Sequence, residues 1–245
     1  LAGMAGMAGL TAAVLVCMAL GWGLERIAYR PLRNAPRLTP LITAIGMSIV
    51  LQNVAMIIWG RNYLTFPPLL PKVDFEFAGA NFTAVRVIIV AVSALTMGGL
   101  LFLVYRTKLG MAMRATSQNP AVASLMGVNI NRVIAAAFII GSALGALAGI
   151  MVGTYYEIAH YQMGFMLGLK AFTAAVLGGI GNLAGAMLGG ILLGLIEALG
   201  AGYIGDLTGG FLGSHFQDIF AFMVLIVVLM FKPSGLFGEK TGDRA

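Results

Sequence analysis

Val133-Ile134-Ala135-Ala136-Ala137-Phe138-Ile139-Ile140-Gly141-Ser142-Ala143-Leu144-Gly145-Ala146-Leu147-Ala148-Gly149-Ile150-Met151-Val152-Gly153 carries no charged side chain. At 1.5 Å per residue, a helix of this length spans about 31 Å, which matches the hydrocarbon core of a bilayer. A backbone in that core must satisfy its own N–H and C=O groups, and a helix does so internally. Six further apolar segments run over 2–24, 39–60, 85–105, 165–181, 183–203 and 215–231. The segment 165–181 is short enough to be tilted or only partly spanning. Across all 245 residues, 60% are hydrophobic and 10% are charged. Soluble domains carry roughly 25% charge, and a globule of this size could not hide so much apolar surface. The composition therefore excludes a soluble enzyme, a disordered chain and a nucleic-acid binder. It predicts an all-α polytopic transmembrane bundle.

The charges predict orientation. Arg26, Arg30, Arg33 and Arg37 follow the first segment; Arg106, Lys108, Arg114 and Arg132 follow the third; Lys232, Lys240 and Arg244 form the tail. Seven alternating spans put these three regions on one side. The opposite loops hold Arg61, Lys72 and Arg86 with Asp74, Glu76, Glu157, Asp206 and Asp218. Basic loops stay cytoplasmic, so residue 1 is expected outside and the C-terminus inside. Trp22, Trp59 and Tyr63 fall at the expected interfaces. Residue 1 is Leu, and no Lys or Arg occurs before residue 25, so a signal peptide is not indicated. The sequence is expected to begin inside a longer protein, after missing N-terminal spans.

Residues 61–84 form an expected extracytoplasmic loop, broken by Pro67, Pro68 and Pro71. Its alternating Val73-Asp74-Phe75-Glu76-Phe77 fits a short strand or hairpin, with an irregular loop as the alternative. Glycines recur at every fourth position at Gly141, Gly145 and Gly149, and again at Gly181, Gly185 and Gly189. Such spacing predicts close helix packing, within the subunit or at a dimer interface or translocation path. Gly178-Gly179-Ile180-Gly181-Asn182 reads as a tight turn between helices. It has no preceding strand and no Lys-Ser/Thr, so it is not a phosphate loop.

Lys170 and Glu197 are the ionisable residues well inside predicted spans. They stand 12 residues before and 15 after Asn182. On antiparallel helices that brings them within about 4.5 Å of the same depth, so an intramembrane ion pair is expected. Such a pair can fix helix register, line a substrate path or relay protons. His160 and His215 lack a second ligand in sequence, and Cys17 is the sole cysteine; no metal or cofactor site is expected.

The basic loop 106–132 contains one short helix signal. Asn119 suits an N-cap, Pro120 the first helical position, and Gly127 the stop after Ala121, Ser124, Leu125 and Met126. A helix this short needs a surface to pack on, either the membrane or a partner.

Several motifs together resemble one family. They are Glu25-Arg26-Ile27-Ala28-Tyr29-Arg30-Pro31-Leu32-Arg33, Leu41-Ile42-Thr43-Ala44-Ile45-Gly46-Met47-Ser48, Leu51-Gln52-Asn53, the loop 106–132, the run from Lys170 to Gly181 and the tail Lys232-Pro233-Ser234-Gly235-Leu236-Phe237-Gly238. In combination and order they are similar to the LivH-type permease subunits of branched-chain amino acid ABC importers, over roughly 15–240. The family's earlier segment resembling Asn-Phe-Ala-His-Gly is missing.

The resemblance implies a single permease domain in a bacterial or archaeal cytoplasmic membrane. It implies a homologous LivM-like permease, two cytoplasmic ATPases and a periplasmic binding protein as partners, besides membrane lipid. Residues 119–127 become the segment that docks on an ATPase. The chain has no Walker motif and would not itself hydrolyse ATP. Competing readings are the same scaffold with urea, an amide or a sugar as cargo, an ion-gradient-driven transporter using Lys170 and Glu197, and a purely structural subunit.

Overall fold

The computed structural model describes residues 2–33, 35–36, 39–67, 74–77, 80–179, 181–204, 217–232 and 234–238. Arg37, Pro68, Pro71, Lys72, Val73, Ile180, Asp206, His215, Lys240 and Arg244, each used in the sequence reading, lie outside the described residues. The chain divides into two compact units, Leu1–Met163 and Gly164–Ala245.

The first unit opens with α1 (Ala2–Leu24), but the helical path does not stop where the sequence reading ended its first segment. It continues through a π turn, Glu25–Tyr29, and a 3₁₀ turn, Arg30–Leu32. The Arg30 N–H bonds back five residues to the Glu25 carbonyl. Pro31 has no N–H and its ring crowds the preceding turn, so α-register cannot run through it unchanged; widening and then tightening the turn carries the helix past. In α2 (Thr39–Trp59) the polar side chains are satisfied locally. Gln52 Nε2 donates to Ser48 Oγ at 3.1 Å, and Asn53 Nδ2 donates to the Ile49 carbonyl at 2.8 Å. Local satisfaction lets such residues sit in an apolar helix.

After α2, β1 (Leu64–Thr65) pairs antiparallel with β4 (Ile158–Ala159), a two-residue ladder that no sequence pattern announced. β2 (Asp74–Phe77) and β3 (Ala80–Thr83) pair in register Asp74↔Thr83 to Phe77↔Ala80. The hairpin alternative therefore holds for 74–83, over its described residues.

Then follow α3 (Ala84–Arg106), α4 (Lys108–Gln118), α5 (Pro120–Leu125) and α6 (Ile130–Tyr156). α4 lies within a stretch the sequence reading treated as loop. Thr107 starts it by accepting the Gly110 N–H at 3.1 Å. Gly110 is buried where an added Cβ would strike the carbonyls of Leu103 and Val104, so α4 folds hard against the end of α3.

α1 and α6 approach closely at Gly21. A Cβ there would fall 2.7 Å from Ser142 Cβ and 2.9 Å from the Phe138 carbonyl oxygen. Tyr29 and Phe138 continue the seam, with ring centroids 4.9 Å apart.

The second unit contains α7 (Met163–Gly178), α8 (Leu183–Leu199, extended by a π turn Gly200–Ile204) and α9 (Gln217–Phe231). α7 and α8 turn through 118° across their break. Each of the seven apolar segments holds a helix over its described residues. By length and composition, four helical stretches can cross a membrane unaided: Ala8–Leu32, Thr39–Trp59, Ala84–Arg106 and Ile130–Tyr156. The α7–α8 pair qualifies only when its two arms are taken together.

Candidate functional site

Two places hold most of the chemistry. The first is the α4–α5 corner. Asn119 Oδ1 accepts the Val122 N–H at 3.2 Å, and Pro120 occupies the first turn, where its missing donor is harmless. The helix ends in a double closure. The Gly127 N–H bonds to the Ser124 carbonyl at 3.0 Å and the Val128 N–H to the Ala123 carbonyl at 3.1 Å. Gly127 takes φ +83°, the left-handed value that closure needs. Asn129 then caps α6 by accepting the Arg132 N–H at 3.2 Å. Between these caps, Ala123 is buried, whereas Leu125 is 85% exposed and Met126 80%. A six-residue helix cannot hold itself in isolation, so the caps and the buried Ala123 hold it while two large apolar side chains face outward.

Behind α5 lies a cavity of about 780 Å³, bordered by Arg33, Thr116, Ser124 and Asn131 among others. Arg33 joins the corner to α1: its guanidinium donates to both Asn131 Oδ1 and Glu25 Oε1. Glu25 is 3% exposed, and this bond compensates a charge that would be costly if buried unpaired. The sequence reading missed Glu25 and Arg33 as partners. Their eight-residue separation is close to two helical turns, and that was the available signal.

The second place is the α7–α8 turn. Lys170 Nζ lies 3.0 Å from Glu197 Oε2, with both side chains partly exposed. Glu197 Oε1 is buried with no hydrogen-bond partner among the described residues. Asn182 Oδ1 accepts the Gly185 N–H at 3.0 Å and starts α8, while its Nδ2 donates to the Phe237 carbonyl at 2.9 Å. The tail completes the turn. The Leu236 N–H bonds to the Leu177 carbonyl at 2.8 Å and the Phe237 N–H to the Gly178 carbonyl at 3.0 Å, occupying carbonyls that a helix end leaves open.

The predicted packing glycines separate into two groups. At Gly185 and Gly189 an added Cβ would run into the backbone of Gly178 and of Ala174 respectively, so these positions do bring α7 and α8 together. At Gly141, Gly145, Gly149 and Gly181 it would meet nothing within 4 Å. For the first three, the described chain places no neighbour against the glycine face. A close approach of α6 to α1 is found at Gly21. Gly181 serves the turn, with φ +97°. His160 stacks on Tyr63 at 4.4 Å between centroids, and its Nε2 lies 3.3 Å from the Arg61 carbonyl. Among the described residues no group of three His, Cys, Asp or Glu could hold a metal ion.

The described chain is a polytopic helical bundle with an exposed, doubly capped helix between two apolar spans. Residues 1–229 match the family model described as "Branched-chain amino acid transport system / permease component". The chain is 44% identical, over 97% of its own length and 76% of the relative's, to the high-affinity branched-chain amino acid transport system permease protein BraD of Pseudomonas aeruginosa. It is 41% identical, with the same coverage, to LivH of Escherichia coli. It is 28% identical to a probable LivH of Methanocaldococcus jannaschii, over 86% of the chain and 68% of the relative. No solved structure matches it. The chain belongs to the branched-chain amino acid transport permease family. It is a transport subunit and not an enzyme.

Proposed function

We propose that the chain is the LivH-type membrane subunit of an ATP-driven importer that moves leucine, isoleucine and valine into the cell. The observation that carries the reading is identity above 40% across nearly the whole chain to permeases named for branched-chain amino acids. The α5 corner supports a mechanical role. Leu125 and Met126 offer an apolar surface on a helix whose two ends are pinned, so a push on the helix passes to α4 and α6 with little loss to bending. Residues 119–127 would dock in a groove of an ATPase subunit, and closure of the ATPases would drive a rigid-body change of access.

The partners in this reading are a homologous LivM-like permease, two ATPases and a periplasmic binding protein. Residues 61–84 supply part of the binding protein's contact, and 106–132 the cytoplasmic coupling segment. The basic side is cytoplasmic, with residue 1 outside and the C-terminus inside. In this reading α7 and α8 together leave and return to the same face, as two crossings or as a hairpin that enters and leaves, which keeps the alternation; a single broken span would reverse the side of the tail. The Lys170–Glu197 pair fixes the register of α7 against α8.

Cargo is tested with the full-length permease reconstituted with its partners. Labelled leucine uptake should be displaced by isoleucine and valine and left unchanged by urea, acetamide or xylose. Displacement by one of the latter three, with none by isoleucine or valine, would refute the cargo while leaving the permease class intact.

A further inference from the structure

Trp22 near the end of α1, with Arg26 and Arg30 at four-residue spacing in the π and 3₁₀ turns that continue it, meets Asn129, Asn131 and Arg132 at the cap and first turn of α6. Between them they enclose a cavity of about 250 Å³. The Arg26 guanidinium lies 5.2 Å over the Trp22 ring. The single carboxylate on the wall, Glu25, is already bonded to Arg33. Among the described residues no carboxylate pairs with Arg26, Arg30 or Arg132. Three guanidinium charges therefore converge on one concavity, beside the positive end of α6. Depth also matters. The stretch Ala8–Leu32 is 25 residues, roughly 37 Å as a helix, which exceeds a ~30 Å hydrocarbon core. The excess of about 7 Å, a little over one turn, lets the Arg30 end reach the headgroup phosphates, with Trp22 below it on the membrane side of the arginines.

We propose that this cavity binds an anionic phosphate group, and that its source is the headgroup of an anionic membrane lipid. Planar guanidinium forks suit phosphate oxygens, and asparagine amides add donors. Trp22 gives the acyl end an apolar wall, which a free phosphate would not use. The site depends neither on the transported cargo nor on the sidedness of the chain.

The test uses Trp22 as reporter. The full-length permease, with every other tryptophan replaced by phenylalanine, is placed in phosphatidylcholine vesicles containing a minor fraction of phosphatidylglycerol. Bromine is carried by one lipid or by the other. Phosphatidylglycerol should be enriched at Trp22 roughly tenfold over its bulk fraction. Joint Arg26→Gln, Arg30→Gln and Arg132→Gln should return it to bulk. Lysine at the same positions should keep much of the enrichment, and Arg106→Gln with Lys108→Gln should keep all of it.

Bulk-level quenching by phosphatidylglycerol, combined with a saturable response of Trp22 to inorganic phosphate in pure phosphatidylcholine, would keep the phosphate site and assign it a soluble source. Absence of both would overturn the proposal, and that comparison needs no arginine variant to fold. Unchanged lipid enrichment in the triple glutamine variant, with loss of ATPase co-purification, would assign the arginines to a protein partner and also overturn it.

Discussion

Asn119 and Asn182 do the same local job, each accepting a backbone N–H at the start of a helix, in surroundings that differ in kind. Around Asn119 the helix is short, its caps are local, and Leu125 and Met126 stand in the open. Around Asn182 the turn is closed by a tail some 55 residues further on, glycines bring backbones together, and Leu177 is 1% exposed. One corner leaves two large apolar side chains uncovered within the described chain; the other is completed by the chain itself. Substitutions should therefore damage the fold at the second corner and interactions at the first.

The largest loss is expected from Gly189→Leu. Its Cβ would enter the Ala174 carbonyl and lie 2.9 Å from the Gly178 nitrogen, so backbone rather than a side chain must move. Destabilisation at or above the ~3 kcal/mol upper range of overpacking is expected. It would be read as a lower thermal midpoint in detergent. Gly141→Leu, facing open space in the described chain, is the control. Equal midpoints for the two would remove the distinction between the glycine groups.

Next comes Lys170→Met, which strands Glu197. Removing one partner of a fully buried pair costs about 3–5 kcal/mol, and partial exposure here lowers that to roughly 2 kcal/mol. The double variant with Glu197→Leu should recover most of the loss. Additive losses would show that the two residues do not interact.

The two asparagines can then be compared directly. Asn119→Ala should cost the ~1 kcal/mol of a cap, seen as faster amide exchange confined to 120–126. Asn182→Ala loses the cap and the bond to the Phe237 carbonyl together, so about 2 kcal/mol is expected, with faster exchange at Leu236 and Phe237 as well. Exchange changes limited to the α8 start would show that the tail is held without Asn182.

Leu125→Asp should have the smallest effect on stability, since an exposed side chain loses no packing. Co-purification with ATPase subunits should fall at least tenfold, the equivalent of about 1.4 kcal/mol. Undiminished co-purification would remove the docking role of α5.

What the sequence made legible follows the same division. The α5 boundaries could be read because the cap, the N1 proline and the stop glycine are within nine residues of one another. The apolar helices were visible for the same reason: composition within a single span decides them. α4 is hard to read from sequence because Lys108–Gln118 is polar and carries no apolar run, although Thr107 offers a cap. The extension of α1 past Leu24 depends on Pro31 and on a buried Glu25 whose partner Arg33 also reaches α6. The docking of Leu236 and Phe237 on α7 joins residues about sixty apart, and no local pattern encodes that. The tail motif and the glycine turn were both noted in sequence; only the fold shows that they make one structure.

The central claim is that this chain transports by coupling to ATPase subunits. The most direct test is leucine uptake into liposomes holding the full-length permease with its permease partner, ATPases and binding protein, driven either by internal ATP or by an ion gradient alone. The account predicts uptake that requires ATP and the binding protein together and is indifferent to the gradient. Gradient-driven uptake without ATP would contradict it.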